Sequence, residues 1–290
     1  MNLSKTLLSK MSSDPIYIGV IGGGFVGSAT ALLNTIDNIR LITYDIDPSK
    51  CVPSGISFKD LEVCKLIFIC VPTPMSKDGS CYTGIVEKVI QDCKSLHSNP
   101  YIVVRSTVPV GFCEKHSVYF MPEFLTEKNW KHDFLTASEW IIGEPKGISN
   151  ESFRKFIETI SLPSVTQFVF IPTSEAEAIK YFRNCFLATK VSFCNEFANF
   201  CKTKGIDYNT VSTVAARDYR IGSSHIKVPG HDGHKGFGGT CFPKDMASLS
   251  HQLDPENNFL IKASIERNVL VDRIEQDWLS SPEFKGRATL

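Results

Sequence analysis

The run Ile16-Tyr-Ile-Gly-Val-Ile-Gly22-Gly23-Gly24-Phe25-Val26-Gly27 joins a strand, a tight turn and a helix start, and it restricts the fold more than any other stretch. Gly22 lets the turn close, Gly24 lets a pyrophosphate approach the backbone, and Gly27 lets the helix pack on the strand. The helix start, opened by Phe25 and Val26, attracts phosphates through its unpaired N–H groups. A second apolar strand, Arg40–Tyr44, ends in Asp45, eighteen residues after Gly27. A carboxylate there accepts ribose hydroxyls and repels a 2′-phosphate. With no Arg immediately beside it, the pattern predicts NAD rather than NADP.

The first half goes on alternating short apolar runs with helical stretches, which predicts a parallel α/β sheet. Strands are expected at Ile16–Ile21, Arg40–Tyr44, Leu66–Val71, Tyr101–Arg105, Val118–Met121, Trp140–Ile142 and Val165–Ile171, with helices at Val26–Asn34, Gly84–Ser95 and Ser152–Ile160. From Ser174 the character changes. Ile179, Phe182, Phe186, Phe193, Phe197 and Phe200 form one apolar stripe on a helix of some thirty residues. Further helices are expected at Tyr208–Arg217, after Cys241 and at Asn257–Leu279. The expected fold is therefore an N-terminal Rossmann-like parallel sheet over residues 1–172, followed by an all-helical domain over 173–290.

A chain of 290 residues suits two domains. Lys plus Arg and Asp plus Glu number 31 each, so no global field favours nucleic acid or an anionic membrane. The ten cysteines contain no C-x-x-C pair, which argues against zinc, and His231 and His234 are too loop-like to count as a metal site. No apolar run approaches a membrane span, and Met1–Asp14 lacks the core of a signal peptide. The expectation is a reduced, cytosolic protein without a metal.

The chemistry concentrates in Gly236-Phe-Gly-Gly-Thr-Cys-Phe-Pro-Lys-Asp245. Cys241 closes a glycine-rich loop just where Phe242-Pro243 opens a helix, and a thiol at a helix N-terminus is favoured as thiolate. Two more loops follow strand ends, where open α/β sheets bind ligands: Val71-Pro72-Thr73-Pro74, and Arg105-Ser106-Thr107-Val108-Pro109-Val110-Gly111. Ser106 and Thr107 are expected to offer hydroxyls there. Lys180 and Asn184 lie one helical turn apart, on a face distinct from the phenylalanines.

Seven segments in order resemble the UDP-glucose 6-dehydrogenases of the UDP-glucose/GDP-mannose dehydrogenase family. They are Gly22–Gly27, Val71–Pro74, Ser106–Gly111, Pro122-Glu-Phe-Leu-Thr-Glu127, Lys180-Tyr-Phe-Arg-Asn184, Asp218-Tyr-Arg-Ile-Gly222 and Gly236–Asp245. The resemblance implies oxidation of a sugar CH2OH to a carboxylate in two hydride transfers to NAD. Cys241 is then the nucleophile that traps the aldehyde as a thiohemiacetal and carries the thioester. Lys180 and Asn184 stabilise oxyanions, Glu123 assists hydrolysis, and Asp245 with Thr107 orients a water. Glu127, Pro72, Thr73, Ser106 and Thr107 join the cofactor site. Glu123, Phe124, Leu125, Lys180, Asn184, Arg220, Lys227, Phe237 and Gly238 are implied to meet the substrate, a nucleotide sugar. The arginine reaches across a dimer, and Asn257–Leu279 resembles the dimerisation helix. Full-length members carry a third domain over the nucleotide half of the substrate, and this chain stops at Leu290. UDP-glucose is the expected substrate. GDP-mannose, a non-catalytic NAD-binding subunit and a two-electron hydroxyacid dehydrogenase are the competing readings.

Overall fold

A computed structural model describes residues 14–126, 128–281 and 286–290. It divides into two compact units. Of the described residues, the first holds those up to Val71, from Gly84 to Ser106 and from Gly111 to Ala176; the second holds those from Pro72 to Thr83, from Thr107 to Val110 and from Glu177 onward.

In the first unit β1 (Ile16–Ile21) pairs in parallel with β2 (Ile39–Tyr44) on one side and β3 (Leu66–Ile69) on the other. Next come β4 (Tyr101–Val104), β5 (Tyr119–Phe120), β6 (Glu139–Glu144) and β7 (Gln167–Pro172), giving seven strands in the order 2-1-3-4-5-6-7. Only the β5–β6 pair is antiparallel among the described ladders. All four residues of β3 are buried, as a strand covered on both faces requires. Because the chain steps from β1 to β2 on one side and returns to β3 on the other, a crevice opens at the carboxyl ends of β1 and β3.

Helices α1 (Phe25–Thr30), α2 (Gly84–Lys94), α3 (Phe112–His116), α4 (Trp130–Leu135) and α5 (Glu151–Thr159) connect the strands. The expected helix Val26–Asn34 is shorter than read: α1 tightens into a 3-10 turn over Ala31–Thr35. On one side of the sheet Phe153, fully buried, stacks on Tyr119, and Tyr101 meets both rings edge-on.

Helix α6 (Thr173–Lys204), 32 residues and so about 48 Å long, belongs to the second unit from Glu177 onward. Gly205, at φ +68°, ends it. Then come α7 (Tyr208–Ala215), capped by the Asp207 carboxylate, α8 (Phe242–Gln252), α9 (Leu260–Arg267) and α10 (Asp277–Ser280). Asn257–Leu279 is not one helix. After α9 a π turn over Asn268–Asp272 runs out at Arg273, which leaves helical geometry at φ −141°, ψ 64°. Its buried guanidinium turns inward onto Asp232 and Asp277, at 2.6 Å from each.

The distribution of side chains around α6 is unusual. Glu177, Lys180, Tyr181, Asn184 and Cys185 are buried, whereas Phe182 and Phe193 are 73% and 65% exposed and Phe186, Phe197 and Phe200 are exposed too. Tyr181, Cys185 and Ala188 pack with Phe237 and Met246 into the core of this unit. The aromatic stripe read from the sequence is therefore a surface, and the polar pair Lys180–Asn184 lies inside.

Deleting the ring at the centre of the aromatic stack tests the packing of the first unit. Phe153→Ala is expected to cost about 3–5 kcal/mol in denaturant unfolding. A loss below about 1 kcal/mol would mean the ring is not a core element.

Candidate active site

The glycine turn after β1 has the shape a dinucleotide needs. Gly22 sits at φ +100°, and a Cβ there would come within 2.6 Å of the Cys70 carbonyl oxygen. A Cβ on Gly27 would land on the Gly22 carbonyl, so helix and turn touch backbone to backbone. Gly24 is exposed and a Cβ there would meet nothing within 4 Å, which leaves the turn open to phosphates where α1 begins. Phe25 is exposed at that start and Val26 partly so.

Asp45 locks the turn. One carboxylate oxygen accepts the Gly23 N–H at 2.6 Å, and the other accepts the Asp47 N–H at 2.8 Å. Lys50, which the sequence reading missed, lies along the same turn: a Cβ on Gly23 would stand 2.9 Å from Lys50 Cβ. Its ammonium pairs with Asp47 at 3.7 Å. The available signal was a lysine five residues after the acid that follows β2. These residues fit the adenosine end of NAD.

In the second unit Cys241 occupies the N-cap of α8, whose eleven residues carry Pro243 in the first turn. Among the described residues, which include all ten cysteines, Cys241 is the exposed one, and no disulfide joins any of the ten. One turn further Asp245 is 1% exposed. Its carboxylate receives the Asn184 amide at 2.6 Å and the Lys244 ammonium at 2.5 Å. Asn184 comes from α6, and Lys180, one turn before it, is 4% exposed. Burial pushes the Lys244 pKa down, but the charges of Asp245, Cys241 and Cys81 outweigh it and the net shift is upward. Lys244 thus remains an ammonium at working pH, a role the sequence reading overlooked beside its more prominent neighbours.

The loops that follow β3 and β4 have their own bonding. Thr73 is buried and its hydroxyl donates to the Thr107 carbonyl at 2.7 Å, and Cys81 Sγ approaches the same oxygen at 3.6 Å. The Val110 N–H donates to Gln252 of α8 at 2.9 Å, and Gln252 reaches Ser248, which bonds Tyr181. The loop Thr107–Val110 and the cysteine helix are therefore tied into one network.

The remaining expected site residues have surroundings of their own. The Ser106 hydroxyl, expected to face the crevice, donates to the Val71 carbonyl at 2.6 Å, so its proton is committed to joining two loop ends. The Thr73 proton is committed likewise. Phe237, expected to touch the sugar, buries its ring in the core. Asn268 clasps its backbone, accepting the N–H and donating to the carbonyl, both at 2.8 Å. Gly238 lies against the Arg273 guanidinium, which a Cβ there would strike. Arg220 is exposed and folds back on Asp218, and Lys227 is exposed. Pro72 is exposed. In the first unit Glu123 is buried with one carboxylate oxygen on the Leu125 N–H at 2.9 Å, Phe124 is exposed and Leu125 is half-buried. Glu127 lies outside the described residues.

Two substitutions test these assignments. Asp45→Ala is expected to weaken NAD binding roughly 10- to 100-fold, as loss of charge-assisted hydrogen bonds does. Unchanged affinity by calorimetry would remove Asp45 from the site. Asn268→Ala strands the buried Phe237 N–H and is expected to lower stability by about 1–3 kcal/mol. No change in the unfolding midpoint would mean that the clasp does not hold the loop.

Known proteins sharpen the picture. Residues 54–160 match the NAD binding domain, and residues 174–269 the central domain, of the UDP-glucose/GDP-mannose dehydrogenase family. The glycine turn and Asp45 precede the first match and rest on geometry. The chain is 32% identical over 254 residues to UDP-glucose 6-dehydrogenase of Rickettsia bellii, covering 79% of this chain and 55% of that protein. It is 32% identical to UDP-glucose 6-dehydrogenase YwqF of Bacillus subtilis, covering 88% of this chain and 68% of that one. A UDP-glucose dehydrogenase structure from Pyrobaculum islandicum superposes with a TM-score of 0.75 at 26% identity, over 88% of this chain and 69% of the other. Against several curated relatives the chain spans only about half to three-fifths of their length. With both halves matched in order and an NAD-binding sheet in place, the chain belongs to the UDP-glucose/GDP-mannose dehydrogenase family.

Proposed function

We propose that the chain oxidises the C6 hydroxymethyl group of a nucleotide sugar, UDP-glucose before others, to the carboxylate through a thioester on Cys241. The observation that carries this reading is an exposed thiol at the head of α8, one turn before a buried Asp245 that holds Asn184 and Lys244. A protein that only binds NAD has no use for that group.

Gly24, Asp45 and Lys50 would hold NAD, which when bound would supply the hydride acceptor for each oxidation. In the first step the hydroxyl proton passes to a water oriented by Asp245. The Cys241 thiolate then adds to the aldehyde carbon, forming a C–S bond and an alkoxide. Lys180 and the Asn184 amide stabilise that oxygen. Loss of the second hydride leaves the thioester. In hydrolysis water oxygen bonds the acyl carbon, the C–S bond breaks, one proton passes to Glu123, and the thiolate is restored. Covalent capture explains why a four-electron oxidation need not release its aldehyde.

UDP-glucose is preferred because the curated relatives at about 30% identity bear its name. The loop Gly236–Cys241 also resembles that branch. The exposed aromatic face of α6 supports a homodimer, since contiguous exposed apolar surface of this length marks an interface.

With a panel of nucleotide sugars, the expected outcome is two NADH per acid formed, greatest with UDP-glucose, and Cys241→Ser should make no acid. One NADH per product, or full turnover by Cys241→Ser, would contradict the thioester. Phe193→Glu should shift the sedimentation of a dimer to that of a monomer. An unchanged sedimentation coefficient would reject the aromatic face as the interface.

A further inference from the structure

Arg105 follows β4 directly, and its backbone N–H continues the ladder to the Ile69 carbonyl at 2.8 Å. The side chain is 3% exposed. Its guanidinium lies over the rings of Phe68 and Phe134, 5.8 and 5.5 Å from their centroids. One N–H points to Met121 Sδ at 3.8 Å, a weak acceptor, and no described residue accepts the Nε–H. No described carboxylate forms an ion pair with it. A buried cation in this condition is costly unless something polar meets it.

Arg105 lines a cavity of about 70 Å³, together with Met121, Glu123, Leu125, Phe134 and Trp140. That volume has room for several water molecules. Two other acids border it. Asp133 is engaged by the Thr126 N–H and hydroxyl, at 2.7 and 2.6 Å, and Glu139 is exposed. Glu123 is therefore the buried carboxylate on the cavity. Burial pushes the guanidinium pKa down, and the charges of Cys70 and Glu123 oppose that shift.

We propose that Arg105 is the positioning residue for Glu123, holding its carboxylate through water across the cavity that both line. The inference rests on the role in acyl release given to Glu123 above. Arg105 does not touch substrate. It fixes the orientation and charge of the group that takes the proton from the hydrolytic water, and the aromatic rings keep the guanidinium from leaving for solvent.

Two measurements decide it. A crystal structure of the full chain is expected to show ordered water within hydrogen-bond distance of both Arg105 Nε and a Glu123 oxygen. A dry cavity, or a direct ion pair of Arg105 with another acid, would overturn the proposal. In single-turnover reactions Arg105→Met should slow acid release roughly 10- to 100-fold. The Cys241 thioester should then accumulate by mass spectrometry while the first NADH still forms, and Arg105→Lys should restore release. Release at the wild-type rate, or a parallel fall of every step that lysine does not rescue, would count against the proposal. A wild-type chain that forms no NADH with any nucleotide sugar would refute the oxidation reading instead. In that case, or if Arg105→Met does not fold, the water bridge decides the matter.

Discussion

The buried carboxylate of Asp245 organises the second unit. A negative charge with almost no exposure is tolerable only when charge and hydrogen bonds surround it, and Lys244 and Asn184 supply both. Satisfying it binds α8 to α6, and Tyr181, Ser248 and Gln252 extend the tie to the loop Thr107–Val110. Cys241 inherits its position from that arrangement, because the first hydrogen bond of α8 runs from the Asp245 N–H to the Cys241 carbonyl. The glycine loop before the cysteine is fixed separately by the Asn268 clasp. The thiol is thus held from both sides while its sulfur stays accessible.

The first unit uses the same economy of backbone contacts. Gly22 and Gly27 pack so closely that no side chain fits, and the Asp45 carboxylate closes the turn from the next strand. Ser106 spends its hydroxyl proton on the Val71 carbonyl, which leaves its lone pairs and the rigid loop geometry for a ligand. Preorganisation of this kind lowers the entropy lost on binding.

Much of this was legible in the sequence because it follows from local rules. All seven strands were read within two or three residues at each end, since their apolar runs are bounded by glycine, proline and polar turns. The glycine turn, Asp45 and Cys241 stand out because few chain segments need those residue types at those spacings. What the sequence left open depends on tertiary context. The phenylalanines of α6 have perfect helical spacing, but spacing says only that they share a face, not what covers it. The resemblance implies that Phe237 meets the sugar, but only the fold shows that Asn268, thirty-one residues on, holds its backbone. Arg273 breaks an apparently continuous helix by pairing with Asp232, forty-one residues earlier. Lys50, Lys244 and Arg105 gain meaning only from what they lie beside.

The central claim is that the Cys241 sulfur forms a bond with the carbon being oxidised. A crystal structure of Cys241→Ser with NAD and UDP-glucose measures this directly. The account predicts the serine oxygen within about 3–3.5 Å of C6, a near-attack separation. A sugar bound with C6 well beyond that reach, or bound away from residue 241 altogether, would contradict it.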